Sequence, residues 1–138
     1  MVAKILITLE HSNCKGKRWF VDLQENHPLY GYSYRLNAFL GGVNNTDNIK
    51  PCTVVANDIP VDLESVFKKD SGYCVKGGYR YYNGVVDIDR LLKFNYSQAA
   101  KKDNQSDLTY LDYLGPEFIT HLRNLKDQAV TRILFGFE

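Results

Sequence analysis

Two short runs of alternating apolar and polar residues, joined by a glycine-bearing loop, constrain this chain more than any other feature in it. Val2 to Glu10 (VAKILITLE) puts Ile5, Ile7 and Leu9 on one face and Lys4, Thr8 and Glu10 on the other. Arg18 to Gln24 (RWFVDLQ) resumes the alternation with Trp19, Val21 and Leu23. A period of two is that of a strand with one buried face. With Gly16 in the connecting loop, the two runs are expected to pair as an antiparallel hairpin.

The pattern then changes. Pro28 disfavours helix at His27, and Leu36, Phe39 and Leu40 recur at helical spacing before Gly41-Gly42. A short helix over about Tyr34 to Leu40, stopped by the glycines, is predicted. Cys52 to Ala56 (CTVVA) reads as a strand, and Asp62 to Lys69 as a short helix with charges that suit its dipole. Tyr73 to Ile88 reads as a second hairpin, with Asn83-Gly84 as a strong turn signal because both residues tolerate positive φ. Gly77-Gly78 offers a further turn.

Asp87 or Asp89 is expected to cap a helix reaching about Lys102, striped by Ile88, Leu91, Leu92, Tyr96 and Ala99. A short helix over Asp107 to Leu114 should end at Gly115, and Pro116 should open the next in its favoured first-turn position. Ile133, Phe135 and Phe137 alternate, so Val130 to Phe137 is read as a closing strand, with a helical extension as the alternative. Strands in hairpins with intervening helices predict an α+β fold, an antiparallel sheet with helices mainly on one face. At 138 residues, a single domain over 1–138 is expected. The absence of a regular βαβ series argues against a Rossmann-type sheet.

Charge narrows the function classes. Lys plus Arg total 17 against 16 Asp plus Glu. That balance is too even for a protein held to DNA by bulk attraction, and too even for an acidic DNA mimic. The three cysteines, Cys14, Cys52 and Cys74, are odd in number and widely spaced. They read as free thiols in a reducing, cytoplasmic compartment. The apolar run at the start is too short for a signal-peptide core or a bilayer span, so neither export nor membrane insertion is expected.

No nucleophile, base and orienting group can be named together, so no catalytic residue, cofactor or metal is assigned. His11 with Cys14 lacks the spacing of a structural zinc site. Carboxylate pairs such as Asp87/Asp89 or Glu10/Asp22 suit acid–base work, yet the first pair is better explained by helix capping.

The compositional oddity is ten tyrosines beside one Trp. They concentrate in Lys76 to Tyr82 (KGGYRYY) and in Tyr30, Tyr32, Tyr34 and Arg35. Tyr offers contact area at little entropic cost, and Arg adds stacking or ion pairing. The expected partner-binding residues are therefore Lys76, Tyr79, Arg80, Tyr81, Tyr82, Tyr30, Tyr32 and Arg35. Another protein is the expected partner, with self-association as a variant. Size and the lack of a catalytic motif suit a small inhibitor or assembly component of the phage or mobile-element type. Two alternatives stand beside it. One is a single-stranded nucleic-acid binder stacking bases on the same tyrosines, aided by Lys15, Lys17, Arg18, Lys76 and Arg80. The other is a small enzyme or ligand binder with His11 and His27 near a pocket.

Overall fold

The computed structural model describes residues 4–32, 34–57, 60–63, 84–103 and 106–137. The alternating runs at the start form β1 (Ile5–Ser12) and β2 (Arg18–Asp22), paired antiparallel from Thr8↔Asp22 to Ser12↔Arg18. Gly16 turns the hairpin at a φ of 80°, and the Asn13 side chain accepts the Lys15 and Lys17 amides at 3.0 Å each. The closing segment is strand, β4 (Val130–Phe137), and it pairs antiparallel with β1 from Ile5↔Phe137 onward. β3 (Gly84–Asp87) lies on the other side of β4. Among the described residues this gives one four-stranded sheet in the order β2-β1-β4-β3.

A 3-10 turn (Pro28–Tyr32) leads into α1 (Tyr34–Leu36), which widens into a π turn over Asn37–Gly41. Gly42 ends it in the left-handed region at φ 65°, its amide bonded back to Ala38 and Asn37 carbonyls. Further helices among the described residues include α2 (Ile88–Lys93), α3 (Tyr110–Leu114) and α4 (Glu117–Asp127). Thr109 caps α3 in a reciprocal box with Asp112, which satisfies two amides that helix geometry leaves open. Pro116 precedes α4 as expected.

The helices bury the face carrying Ile5, Ile7, Leu9, Ile133, Phe135 and Phe137. Phe39, with no exposed surface, sits at the centre, in ring contact with Phe94, Tyr96, Tyr110 and Phe118 at 5.4–6.1 Å. Buried tyrosines keep their hydroxyls bonded: Tyr96 donates to the Leu91 carbonyl at 2.7 Å and Tyr110 to the Lys50 carbonyl at 2.5 Å. Part of the tyrosine excess is therefore core, as a ring with a partnered hydroxyl permits.

Several local expectations are corrected. Cys52–Ala56 is turn and irregular chain and touches the sheet through one bridge, Ala56↔Val85. The helix from Asp87 stops at Lys93, because Asn95 accepts the Ser97 amide at 3.1 Å and turns the chain. Asp87 stands at its N-cap but makes no side-chain cap bond. Gly84 is a strand residue, not a turn: it faces Phe135, whose ring lies where a Cβ would stand. Thr8 and Glu10, expected toward solvent, are 1% and 2% exposed. The far side of the sheet is therefore also covered, with Val85, Leu134 and Leu63 buried outside the main core cluster. Most of the expected second hairpin and of the 62–69 helix lies outside the described residues.

Candidate functional site

The sheet offers two regions where chemistry differs from ordinary packing. The first is the outer end of the helix-side face. In an antiparallel pair, directly opposed residues share a face, so Trp19 lies with His11 and Val21 with Leu9. Leu9 is buried, but Trp19 and Val21 are 38% and 43% exposed. The helical layer shelters β1 and β4 and leaves β2 largely open. Trp19 stacks on His11 with ring centroids 5.3 Å apart and planes within 8°.

His11 Nδ1 lies 2.8 Å from the Gln128 carbonyl. A carbonyl only accepts, so the proton sits on Nδ1 and fixes the ring against the Trp face. These groups border a groove of about 420 Å³, whose walls also include Leu23 and His27. Both histidines singled out from the sequence thus reach one surface.

The second region is polar and lies on the opposite face. Glu10 receives Arg132 side-on, Nε at 2.9 Å and Nη2 at 2.6 Å, with Arg18 at 3.4 Å. Thr131 Oγ1 donates to the same carboxylate at 2.6 Å. Neighbouring strand residues normally point to opposite faces. Here the register slips between Glu10 and His11, a bulge that turns both Thr131 and Arg132 onto one acid. Asp62 joins from outside, 2.6 Å from Arg132 and 2.9 Å from Arg18.

Burial pushes the Glu10 carboxyl up, but the Arg132 and Thr131 hydrogen bonds and both arginine charges outweigh it and leave it below its ordinary value. A clamped, ionised carboxylate is a structural anchor and a poor proton donor. Asp22, its notional partner for acid–base work, instead accepts the Thr8 hydroxyl at 2.7 Å. Asp89 pairs with Lys126 at 2.6 Å.

The Tyr30–Arg35 cluster is mostly turned inward. Tyr32 is 6% exposed, its hydroxyl 2.9 Å from His121 Nδ1 and its ring edge-on to Phe118. Tyr30 is half-buried and its hydroxyl accepts the Ile7 amide at 3.1 Å. Arg35 lies over the Tyr32 ring and donates to the Tyr32 and Tyr113 carbonyls. Tyr34 is the exposed ring of the group. Lys76, Tyr79, Arg80, Tyr81 and Tyr82 lie outside the described residues. Lys15 and Lys17 are exposed at the tip of the first hairpin.

Sequence reasoning missed Trp19 as a surface residue. The available signal was a lone Trp on a short strand whose hairpin partner is the one neighbour that the sequence specifies.

Cys52 is buried and its thiol is pushed up to about 11 by burial, so it is unsuited to nucleophilic work, while Cys14 is exposed. Among the described residues, no three His, Cys, Asp or Glu are grouped to hold a metal ion, and no helix is long and apolar enough to cross a membrane. Scans against protein-family models, curated proteins and solved structures found no match to this chain.

Proposed function

We propose that the protein is a non-enzymatic interaction module that binds another protein through the open face of β2, with Trp19 as the anchor. The observation that carries this reading is the exposure of Trp19 and Val21 on a face that is otherwise buried. Trp is enriched where interfaces draw their binding energy, and Trp19 and Val21 adjoin on one face, the contiguous kind of apolar exposure that marks interaction sites. The stacked His11 holds the indole in one orientation, which lowers the entropy lost on docking. The Lys76 and Tyr79–Tyr82 segment is proposed as a second contact, on its composition alone.

A second reading, single-stranded nucleic acid, draws on the same stack. Lys15, Lys17 and Arg18 stand on the hairpin that carries it, and a flat ring beside cations is what an unpaired base stacks on.

The test is capture from native lysate on immobilised protein, comparing wild type with a Trp19→Ser/Val21→Thr double variant and a Tyr79→Ala/Arg80→Ala/Tyr81→Ala triple variant. Loss of the captured protein with the double variant, at an unchanged melting temperature, supports the β2 reading. Retention by that variant overturns it. Capture of nucleic acid that falls steeply with added salt selects the second reading.

A further inference from the structure

At His27 the backbone geometry fixes a protonation state. The Leu29 amide can only donate, and it points at His27 Nδ1 from 3.1 Å, so that nitrogen must carry a lone pair. The position is an N-cap: Pro28 follows as the first residue of the 3-10 turn, and the His27 carbonyl accepts the Tyr30 amide at 3.0 Å. Ser, Asp or Asn usually supplies this acceptor. An imidazole does so only while it is neutral at Nδ1.

The turn so capped carries Leu29 and Tyr32 into the core, 2% and 6% exposed. Its far end is fastened by the Tyr32 hydroxyl to His121 Nδ1 on α4. Two imidazoles therefore hold the two ends of one five-residue turn.

We infer that His27 makes the 28–32 turn an acid-sensitive latch, docked against α4 while the imidazole is neutral and released when it takes a proton. A proton on Nδ1 sets a donor against a donor, breaks the cap and leaves the Leu29 amide without its acceptor. It also places positive charge at the amino end of a helical turn, where the dipole opposes it.

The groups facing His27 are His121 from α4 and, along the groove, His11 from β1 and Asp22 from β2. Asp22 is engaged by the Thr8 hydroxyl, and Glu117 and Arg35 stand near Tyr32 at the far end. Burial, and then the neighbouring His121, hold His27 below the ordinary imidazole value of 6.5. The folded chain thus resists a proton that the unfolded chain accepts. The cap's contribution is full above about pH 6.5 and is lost as pH falls through the folded value.

The test is amide exchange at Leu29 between pH 7.5 and 5, corrected for the intrinsic rate, in wild type and in His27→Asn, whose Oδ1 accepts from the same place and does not titrate. In wild type, protection at Leu29 should fall by about fivefold, the factor that losing one hydrogen bond of about 1 kcal/mol produces. In His27→Asn it should stay flat. A flat wild-type profile, or an equal fall in the variant, overturns the latch. Should the variant not fold, a wild-type titration followed by proton resonances decides it: the His27 imidazole and the Leu29 amide must share one inflection, and separate inflections overturn the inference.

Discussion

Both faces of the central strand pair carry buried side chains, and they are held by different physics. Beneath the helices, Phe39 touches four other rings, and β1 and β4 add aliphatic and phenyl side chains to a continuous apolar cluster. On the reverse, a carboxylate with almost no exposed surface is gripped by one arginine side-on, a second at longer range and a threonine hydroxyl. Apolar burial is non-directional and tolerates reshaping, whereas a buried ion needs every partner in place. The lesson is that burial alone does not set tolerance. The first face should degrade gradually with lost volume, and the second should fail when any one ligand of Glu10 is removed.

The largest expected effect comes from the aromatic side. Phe39→Ala removes the ring at the hub of the cluster and should cost about 3–5 kcal/mol, read from the urea midpoint. A loss below about 1 kcal/mol would mean the cluster closes around the gap, and the contrast between faces would be sharper still. Next is Glu10→Ala, which leaves the largely buried Arg132 with only the half-exposed Asp62 of its two carboxylate partners and should cost about 3 kcal/mol by the same measurement. Replacing Glu10 and Arg132 together with Leu and Met should recover most of that loss, because an apolar pair of similar volume leaves no orphaned charge.

Acid sharpens the same point without mutation. The Glu10 carboxyl is held below its ordinary value of 4.5, so its contribution is present above that value and lost as pH falls through the folded one. The melting temperature of wild type should drop over that range, and that of the Leu/Met double variant should drop less. Asp62 is half-exposed, so Asp62→Asn should cost under about 1 kcal/mol. The smallest effect belongs to the open end of the helix-side face, where Trp19→Ser should shift stability by under about 1 kcal/mol. A large loss there would show the indole to be a core member and remove the basis for a docking surface.

The architecture was largely legible in the sequence. Period-two runs around Gly16 and in Val130–Phe137 marked the strands, and Gly42 and Pro116 marked helix boundaries. What escaped was decided by partners far away in the chain. Glu10 looked solvent-facing because Arg132, which neutralises it, stands 122 positions on. Tyr96 looked helical because it falls at helical spacing from Leu92, but it enters the core from a turn. Gly84 looked like a hairpin tip because Asn-Gly favours turns, yet the Phe135 ring across the strand is what requires a glycine there. The tyrosine clusters were legible as composition only. Whether a phenol faces inward depends on what packs above it, and for Tyr32 that is Phe118 and His121.

Pairing β1 with β4 has a kinetic consequence. The innermost ladder joins the most distant segments of the described chain, Ile5 to Phe137, while β1–β2 closes over a short turn. Such non-local closure must overcome the entropy of a long loop before any contact rewards it. The first hairpin should therefore assemble early and wait, one apolar flank bare, until the last strand arrives to seal it. During that interval it is the stretch most exposed to pairing with the wrong neighbour.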